Sequence, residues 1–271
     1  MQKTIQAAID YIEAHLTEEI DVHDAAARAY ISTFHFQRVF SAVCGLPFGE
    51  YIRRRRLTQA AQELSCGCRV IDAALKYGYD SPDSFTRAFR RFHGVLPSQA
   101  GQPGVTLQSF APMKIKLNQE GGTMLEYKIV EKPAFTVVGY KKQFNNETSY
   151  QEIPQWWKEV SASQSIIMGD FGVCIDTDGK LFDYMIADLH QPWKSIPEGC
   201  VTHTIPAGTW AVFPCTLGTL QSTNTKMWRD WLPACREYKL GGKYNLEFYY
   251  ELNEADPPSS QVELWLPIEK R

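Results

Sequence analysis

Arg38 follows Gln37 and Arg87 follows Thr86, each pair in a short segment whose phenylalanines recur four residues apart: Phe36 with Phe40, Phe85 with Phe89. A guanidinium can grip guanine O6 and N7 with two hydrogen bonds, and a glutamine amide can do the same with adenine N6 and N7. Phenylalanines four apart share one face of a helix and anchor it to a core. That spacing turns Thr33, Gln37 and Arg38 outward in the first segment, and Asp83, Thr86 and Arg87 in the second. Asp83 has two readings, as an acceptor for cytosine N4 or as a partner of the positive helix N-terminus. His35, Arg90 and Arg91 are expected at phosphates, which position a protein without reading sequence. Ser32, Thr33, Phe34 and Ser81, at the starts of the two segments, complete the set expected at DNA.

These side chains need a frame, and the chain carries one twice. A shift of 49 positions aligns Ala25 with Ala74, Tyr30 with Tyr79, Ser32 with Ser81, Phe36 with Phe85, Arg38 with Arg87, Phe40 with Phe89 and Gly45 with Gly94. In each copy a short helix ends near the tyrosine and a serine stands where the next helix needs its N-cap. Two short helices joined by a tight turn, the second bearing arginines, make a helix-turn-helix. Ahead of the first copy, Ile5, Ile9, Ile12 and Leu16 repeat at helical spacing, and Asp21 can cap a helix over Val22 to Ala29. The first reading helix then runs to Cys44 and ends at Gly45. A connecting helix spans Pro47 to Leu64 and includes Arg53-Arg54-Arg55-Arg56. Four consecutive residues cover more than one turn, so one or two of these are expected at phosphate and the others at acidic neighbours or water. Val70 to Tyr77, Gly78 and Ser81 open the second copy.

The run from Tyr77 to Ser98, with Ser81-Pro82-Asp83-Ser84-Phe85-Thr86-Arg87-Ala88-Phe89 at its centre, closely resembles the signature of AraC/XylS-family transcription regulators. The resemblance covers roughly residues 5 to 100, with Ala29 in place of the usual turn glycine of the first unit. It implies two helix-turn-helix units that bind successive major grooves on one side of double-stranded DNA. Since such grooves lie roughly 34 Å apart, one chain would cover an asymmetric site of about 20 base pairs.

Charge follows the same division. The whole chain carries a net −3, yet Arg28 to His93 holds eleven Lys/Arg against five Asp/Glu, a net +6 that leaves −9 elsewhere. That is a local footprint for a polyanion. Seven cysteines with no regular framework suit a reducing compartment. Cys66-Gly67-Cys68 lacks further ligands nearby and is expected to be loop thiols, with no metal or cofactor. No apolar run approaches the roughly 20 residues that span a bilayer, and a cytoplasmic protein without membrane partners is expected.

Glycine and proline crowd Ala100 to Thr123, after which helical periodicity gives way to β-branched and aromatic runs. The expected domains are 1–103, a linker or crossing segment 104–123, and 124–271. The last repeats internally at an offset of 73: Pro133-Ala134 and Pro206-Ala207 each lie near an expected hairpin turn. A Trp-bearing helical segment follows each, Ile153 to Ser161 and Thr225 to Leu232. Two strands come next, Gly172 to Ile175 with Leu181 to Leu189, then Asn245 to Leu252 with Gln261 to Pro267. The fold class is therefore multidomain, an all-α domain with two helix-turn-helix units before an α+β domain of two pseudo-symmetric strand-helix-strand-strand repeats with a cleft between them.

The ending, Asn245-Leu246-Glu247-Phe248-Tyr249 with Val262-Glu263-Leu264-Trp265-Leu266-Pro267-Ile268, resembles the GyrI-like small-molecule-binding domain over roughly residues 124 to 270. With the AraC-type domain first, the arrangement is similar to Rob-type regulators. The resemblance implies a hydrophobic or cationic effector held against Glu247. Tyr249 and Glu251 share the Glu247 face by the two-residue period of a strand. The alternative is that this face meets solvent while Leu246, Phe248 and Tyr250 form the core. Trp157, Tyr184 and Trp210 are the expected pocket walls, each also suited to a core.

The chain is thus expected to be an effector-responsive transcription regulator, with RNA polymerase as a further partner, and not an enzyme. Two alternatives stand beside it: a constitutive DNA-binding protein whose second domain is a protein-interaction module, and a hydrolase using Glu247 as base. The sequence has no G-x-S-x-G, H-E-x-x-H or phosphate loop to support the latter.

Overall fold

The computed structural model describes residues 2–115, 125–163, 165–177 and 181–271, and the chain divides into two compact units at Gln119 and Glu120. The first unit is helical: α1 (Gln2–Ala14), α2 (Val22–Arg28), α3 (Thr33–Cys44), α4 (Phe48–Ser65), α5 (Val70–Lys76) and α6 (Pro82–His93). Asp21 caps α2 by accepting from the His23 amide, and Ser32 and Ser81 cap α3 and α6 through the amides of His35 and Ser84. Gly45 and Gly94, both left-handed, end α3 and α6. Ile5, Ile9, Ile12 and Leu16 are buried, as are Phe36 and Phe40 of α3 and Phe85 and Phe89 of α6. No helix among the described residues is long and apolar enough to cross a membrane.

The two helix-turn-helix copies differ by one residue in the turn. Gly78 takes the left-handed conformation after α5, with φ of 77°, and the Tyr79 amide donates to the Ala74 carbonyl. In the first copy Ala29 stays right-handed; the left-handed residue is Tyr30, φ 54°, and the Ile31 amide donates to the Ala26 carbonyl. The shift of 49 therefore holds for α3 and α6, but the preceding helices and turns superpose at 48, matching Ala26 to Ala74 and Tyr30 to Gly78. The first turn has lost one residue, and a tyrosine carries the strained conformation that glycine carries in the second.

All four residues of the arginine run are held by the protein. Arg53 and Arg54 pair with Glu50, Arg56 donates to the carbonyls of Leu16 and Glu18, and Arg55, 4% exposed, makes a forked pair with Glu13. Arg55 also donates to the Phe110 carbonyl, which fastens the extended segment after the last helix. Along that segment the Gln108 amide donates to His93 Nδ1, Phe110 to Thr58 Oγ1, Met113 to the Tyr51 hydroxyl and Ile115 to Gln6 Oε1. Residues 107–115 thus form a strap across the helices.

The second unit is a curled antiparallel sheet with strands β1 (Lys128–Lys132), β2 (Phe135–Asn145), β3 (Phe171–Asp176), β4 (Leu181–Leu189), β5 (Val201–Ile205), β6 (Gly208–Thr216), β7 (Tyr238–Leu240), β8 (Tyr244–Tyr249) and β9 (Gln261–Lys270). Helix α7 (Ser149–Ala162) follows β2. Helix α8 (Leu220–Lys226) follows β6 and continues through a π-helical turn, Met227–Trp231. The strand order β1-β6-β9-β8-β3-β4-β2-β5 reads the same after the two halves are exchanged, the mark of a pseudo-twofold between β3 and β8.

Pro133-Ala134 and Pro206-Ala207 are not hairpin turns. β1 pairs with β6, from Lys128 opposite Val212 to Lys132 opposite Gly208, and β2 pairs with β5, from Phe135 opposite Ile205 to Gly139 opposite Val201. The register runs on unbroken from one ladder to the other. Each Pro-Ala pair therefore interrupts one long bent strand, and each half lends its leading strand to the edge of the other. Proline lacks the N–H a ladder needs, which is why the pairing breaks there. On the inner face Val173, Met185, Trp210, Val212, Leu246 and Trp265 form a buried cluster.

Candidate functional site

On α6 the helix presents two distinct faces. Phe85, Phe89 and His93 are buried, Asp83, Arg87, Arg90 and Arg91 are exposed, and Thr86 is half-buried. Asp83, Thr86, Arg87 and Arg90 fall at three- and four-residue steps, a single stripe one helix face wide. The face expected to meet DNA is open to solvent.

The outward face expected of α3 is not. Thr33 and Gln37 are each 8% exposed, and Phe34 and His35 are buried as well. Thr33 and Gln37 are one helical turn apart and share a stripe, so they are covered together. The Thr33 hydroxyl is 2.9 Å from His23 Nδ1, tying it back to α2, and the Arg38 guanidinium lies over the Phe34 ring, 5.4 Å from its centroid. Of the first set, Ser32 is exposed and Arg38 half-buried.

In the second unit Glu247 lies on β8 at the pseudo-twofold, opposite Gly172 of β3 and Leu264 of β9. Its Oε2 accepts two hydroxyls, from Tyr184 of β4 at 2.6 Å and from Tyr249, two residues along its own strand, at 2.7 Å. Trp157 of α7 donates its indole N–H to the Tyr184 oxygen at 3.2 Å, and its ring stands 4.9 Å from that of Tyr249. Gly172 makes the floor: an added Cβ would lie 2.2 Å from the Tyr184 hydroxyl and 2.7 Å from Glu247 Oε2. The expected residues Glu247, Tyr249, Tyr184 and Trp157 thus come together. Both faces of β8 are at least half-covered, so Glu247 and Tyr249 are neither fully exposed nor buried in a dry core.

Trp210 does not join them. It is buried on the opposite face of the sheet, its ring 5.6 Å from Tyr244 and 6.0 Å from Trp265. Strand parity decides this: Phe213, Leu264 and Glu247 lie in one row across β6, β9 and β8, so Cys215 and Ala211 share the Glu247 face while Trp210 and Val212 point away. The β6 residue that does reach the cluster is Cys215, which sequence reasoning missed; the register of β6, β9 and β8 was the signal needed.

Electrostatics leave one charge in the cluster. Burial, and then the neighbouring Glu247 carboxylate, hold the hydroxyls of Tyr184 and Tyr249 well above the usual tyrosine range. The same two causes push the Cys215 thiol up to about 11. At neutral pH the tyrosines are proton donors and the thiol is neutral. Among the described residues no lysine or arginine pairs with Glu247, and Oε1 has no hydrogen-bond partner. The arrangement offers a fixed negative charge, two oriented hydroxyls and aromatic walls. It fits a cation whose bulk is apolar.

Comparison with known proteins divides along the same line. Residues 25–102 match a helix-turn-helix domain family, and residues 128–268 match the family described as integron-associated effector binding protein. The chain is 43% identical over 95 residues to the HTH-type transcriptional activator AarP of Providencia stuartii, covering 35% of this chain and 70% of that one. It is 38% identical over 95 residues to the right origin-binding protein of Escherichia coli (strain K12), covering 35% of this chain and 33%, about a third, of that protein's length. Among solved structures it is similar to SAV2435 bound to tetraphenylphosphonium, at 19% identity and a TM-score of 0.45, covering 54% of this chain and 94% of that one.

Proposed function

Because the chain belongs to the integron-associated effector binding protein family and is an AraC-type helix-turn-helix transcription regulator rather than an enzyme, we propose that its second unit senses a lipophilic organic cation at Glu247. The observation that carries this is the Glu247 carboxylate itself. It is half-buried and unpaired with any described cation, and its Oε2 is already held by two tyrosine hydroxyls. A carboxylate in that setting gains most from a ligand that brings positive charge without a hydration shell to lose, and the rings of Trp157 and Tyr249 supply cation–π contact.

At the first unit, Arg38, Thr86 and Arg87 are the proposed base-reading side chains, with Asp83 at the head of the second reading helix and Arg90 and Arg91 on phosphates. The open stripe on α6 supports the roles given to Asp83, Thr86, Arg87 and Arg90. RNA polymerase is the proposed downstream partner, through which DNA occupancy becomes altered transcription.

The test is calorimetric titration of the full chain with tetraphenylphosphonium, a compact aromatic monocation, against Glu247→Gln. A unit charge pair at 4 Å is worth between about 1 and 4 kcal/mol from water to an effective dielectric near 20. The variant should therefore bind at least roughly fivefold more weakly, at about 1.4 kcal/mol per tenfold. Equal affinity would remove Glu247 from the site.

A further inference from the structure

The loop that leads into β3 is bound at several points: the Asp170 carbonyl accepts from the Tyr249 amide at 2.8 Å, Ser165 Oγ meets the Tyr140 hydroxyl, and one carboxylate, Asp188, gathers three of its amides. Asp188 Oδ2 accepts from the Met168 amide at 2.8 Å, and Oδ1 accepts from the amides of Gly169 at 2.7 Å and Asp170 at 3.2 Å. Three successive backbone donors on one carboxylate fix both the position and the orientation of the loop. Asp188 and Tyr184 lie on β4 four residues apart and share its face by strand period.

What the loop presses on is Trp157. Gly169 is left-handed, φ 84°, and so close to the indole that an added Cβ would lie 2.6 Å from Cζ3 and 3.1 Å from Cη2. Only glycine permits that approach. Trp157 also contacts the Tyr184 hydroxyl and the Tyr249 ring, the two groups that hold Glu247. Trp157 is therefore clamped between the loop and the carboxylate site. Ile167 anchors the loop in the interior, while Ile166 and Met168 stand out at 68% and 83% exposed beside it. A latched loop with exposed apolar side chains thus lies beside Trp157.

We propose that Asp188 is a positioning residue for effector entry: its three amide contacts hold the Ser165–Asp170 flap against Trp157, and release of this latch lets the indole swing off the Tyr184–Glu247–Tyr249 cluster. The proposal rests on Glu247 being the effector site. Asp188 touches neither the ligand nor Glu247; it acts by setting how often Trp157 yields. The exposed Ile166 and Met168 then give an incoming hydrophobic cation its first contact.

Entry is measured by stopped-flow mixing of the full chain with tetraphenylphosphonium, followed by tryptophan fluorescence, in wild type, Asp188→Ala and Asp188→Asn. Asp188→Ala should raise the association rate constant at least tenfold. Asp188→Asn keeps one carbonyl oxygen for the Gly169 amide and should fall between, which a purely structural loss of folding would not produce. Amide exchange at Met168, Gly169 and Asp170 should quicken in the same order. If wild type binds the cation and both variants take it up at the wild-type rate or more slowly, the latch is rejected while the Glu247 site stands. If wild type does not bind it at all, the Glu247 site is rejected and the latch with it.

Discussion

Gly172→Ala places one methyl group at the centre of the proposed effector site. The added Cβ would lie 2.2 Å from the Tyr184 hydroxyl and 2.7 Å from Glu247 Oε2, distances that real Cβ contacts do not sustain, and a tight 3.0 Å from Tyr184 Cζ. Gly172 is not left-handed, so alanine brings no backbone strain, and by restricting the unfolded chain it would alone stabilise by about 0.4–1 kcal/mol. Against that gain, the tyrosine must leave the carboxylate, and a hydrogen bond to a charged group contributes about 1.5–3 kcal/mol. The net expectation is a loss of about 0.5–2.6 kcal/mol. For a unit of this size that lowers the melting temperature by roughly 1–10 °C. Thermal unfolding followed by circular dichroism measures the loss, and titration with tetraphenylphosphonium should show weakened binding. Tyr184→Phe should cost a similar amount, and the double variant less than the sum of the two, because the phenylalanine removes the oxygen that the methyl would strike. A Gly172→Ala protein with wild-type melting and wild-type cation affinity would refute the packing of this cluster.

Other perturbations probe the remaining parts. Tyr30→Gly should stabilise the first unit by about 1 kcal/mol, read by denaturant unfolding, because the tyrosine is left-handed yet 88% exposed and has little packing to lose. Burial lowers the pKa of His93 below its ordinary value near 6.5, and the Gln108 amide donates to its Nδ1 while Nε2 meets the Leu57 carbonyl. The neutral ring is thus favoured in the folded state. Stability from this group is present above about pH 6.5 and is lost as pH falls through the unfolded and then the folded pKa. Unfolding of the first unit between pH 7.5 and 5 should show this loss, and His93→Gln should flatten it. At DNA, Arg87→Ala should cost about 1–3 kcal/mol on a preferred sequence and relax base preference, whereas Arg90→Ala should weaken all sequences evenly. Equal loss of specific and non-specific affinity in Arg87→Ala would deny it a base-reading role.

How far the sequence reached depended on whether a residue's neighbours lie on its own element. The two faces of α6 were legible because Phe85, Phe89 and the arginines report helical periodicity directly. Thr33 and Gln37 show the limit: spacing says that they share a stripe, not whether solvent reaches it. The repeat exposed both helix-turn-helix units, yet a uniform shift hid the missing turn residue, because Tyr30 aligned with Tyr79 by identity when its conformation matches Gly78. In the second unit the strands and the Glu247 motif were visible in alternation. The partners Tyr184 and Trp157 were named, but Trp210 was placed on the wrong face because parity along β6 can be counted only once its register against β9 is known. The Pro-Ala pairs looked like hairpin turns because proline and small residues mark turns; that the strands instead cross to the other half is a matter of long-range pairing, which local chemistry does not encode.

The most direct test of the central claim is fluorescence anisotropy of the full chain on its preferred genomic fragment, with and without tetraphenylphosphonium, in wild type and Glu247→Gln. Binding should be sequence-selective with a steep negative salt slope. The cation should shift the wild-type curve and leave the Glu247→Gln curve in place. Identical wild-type curves with and without bound cation, or an equal shift in the variant, would contradict a sensor built on Glu247.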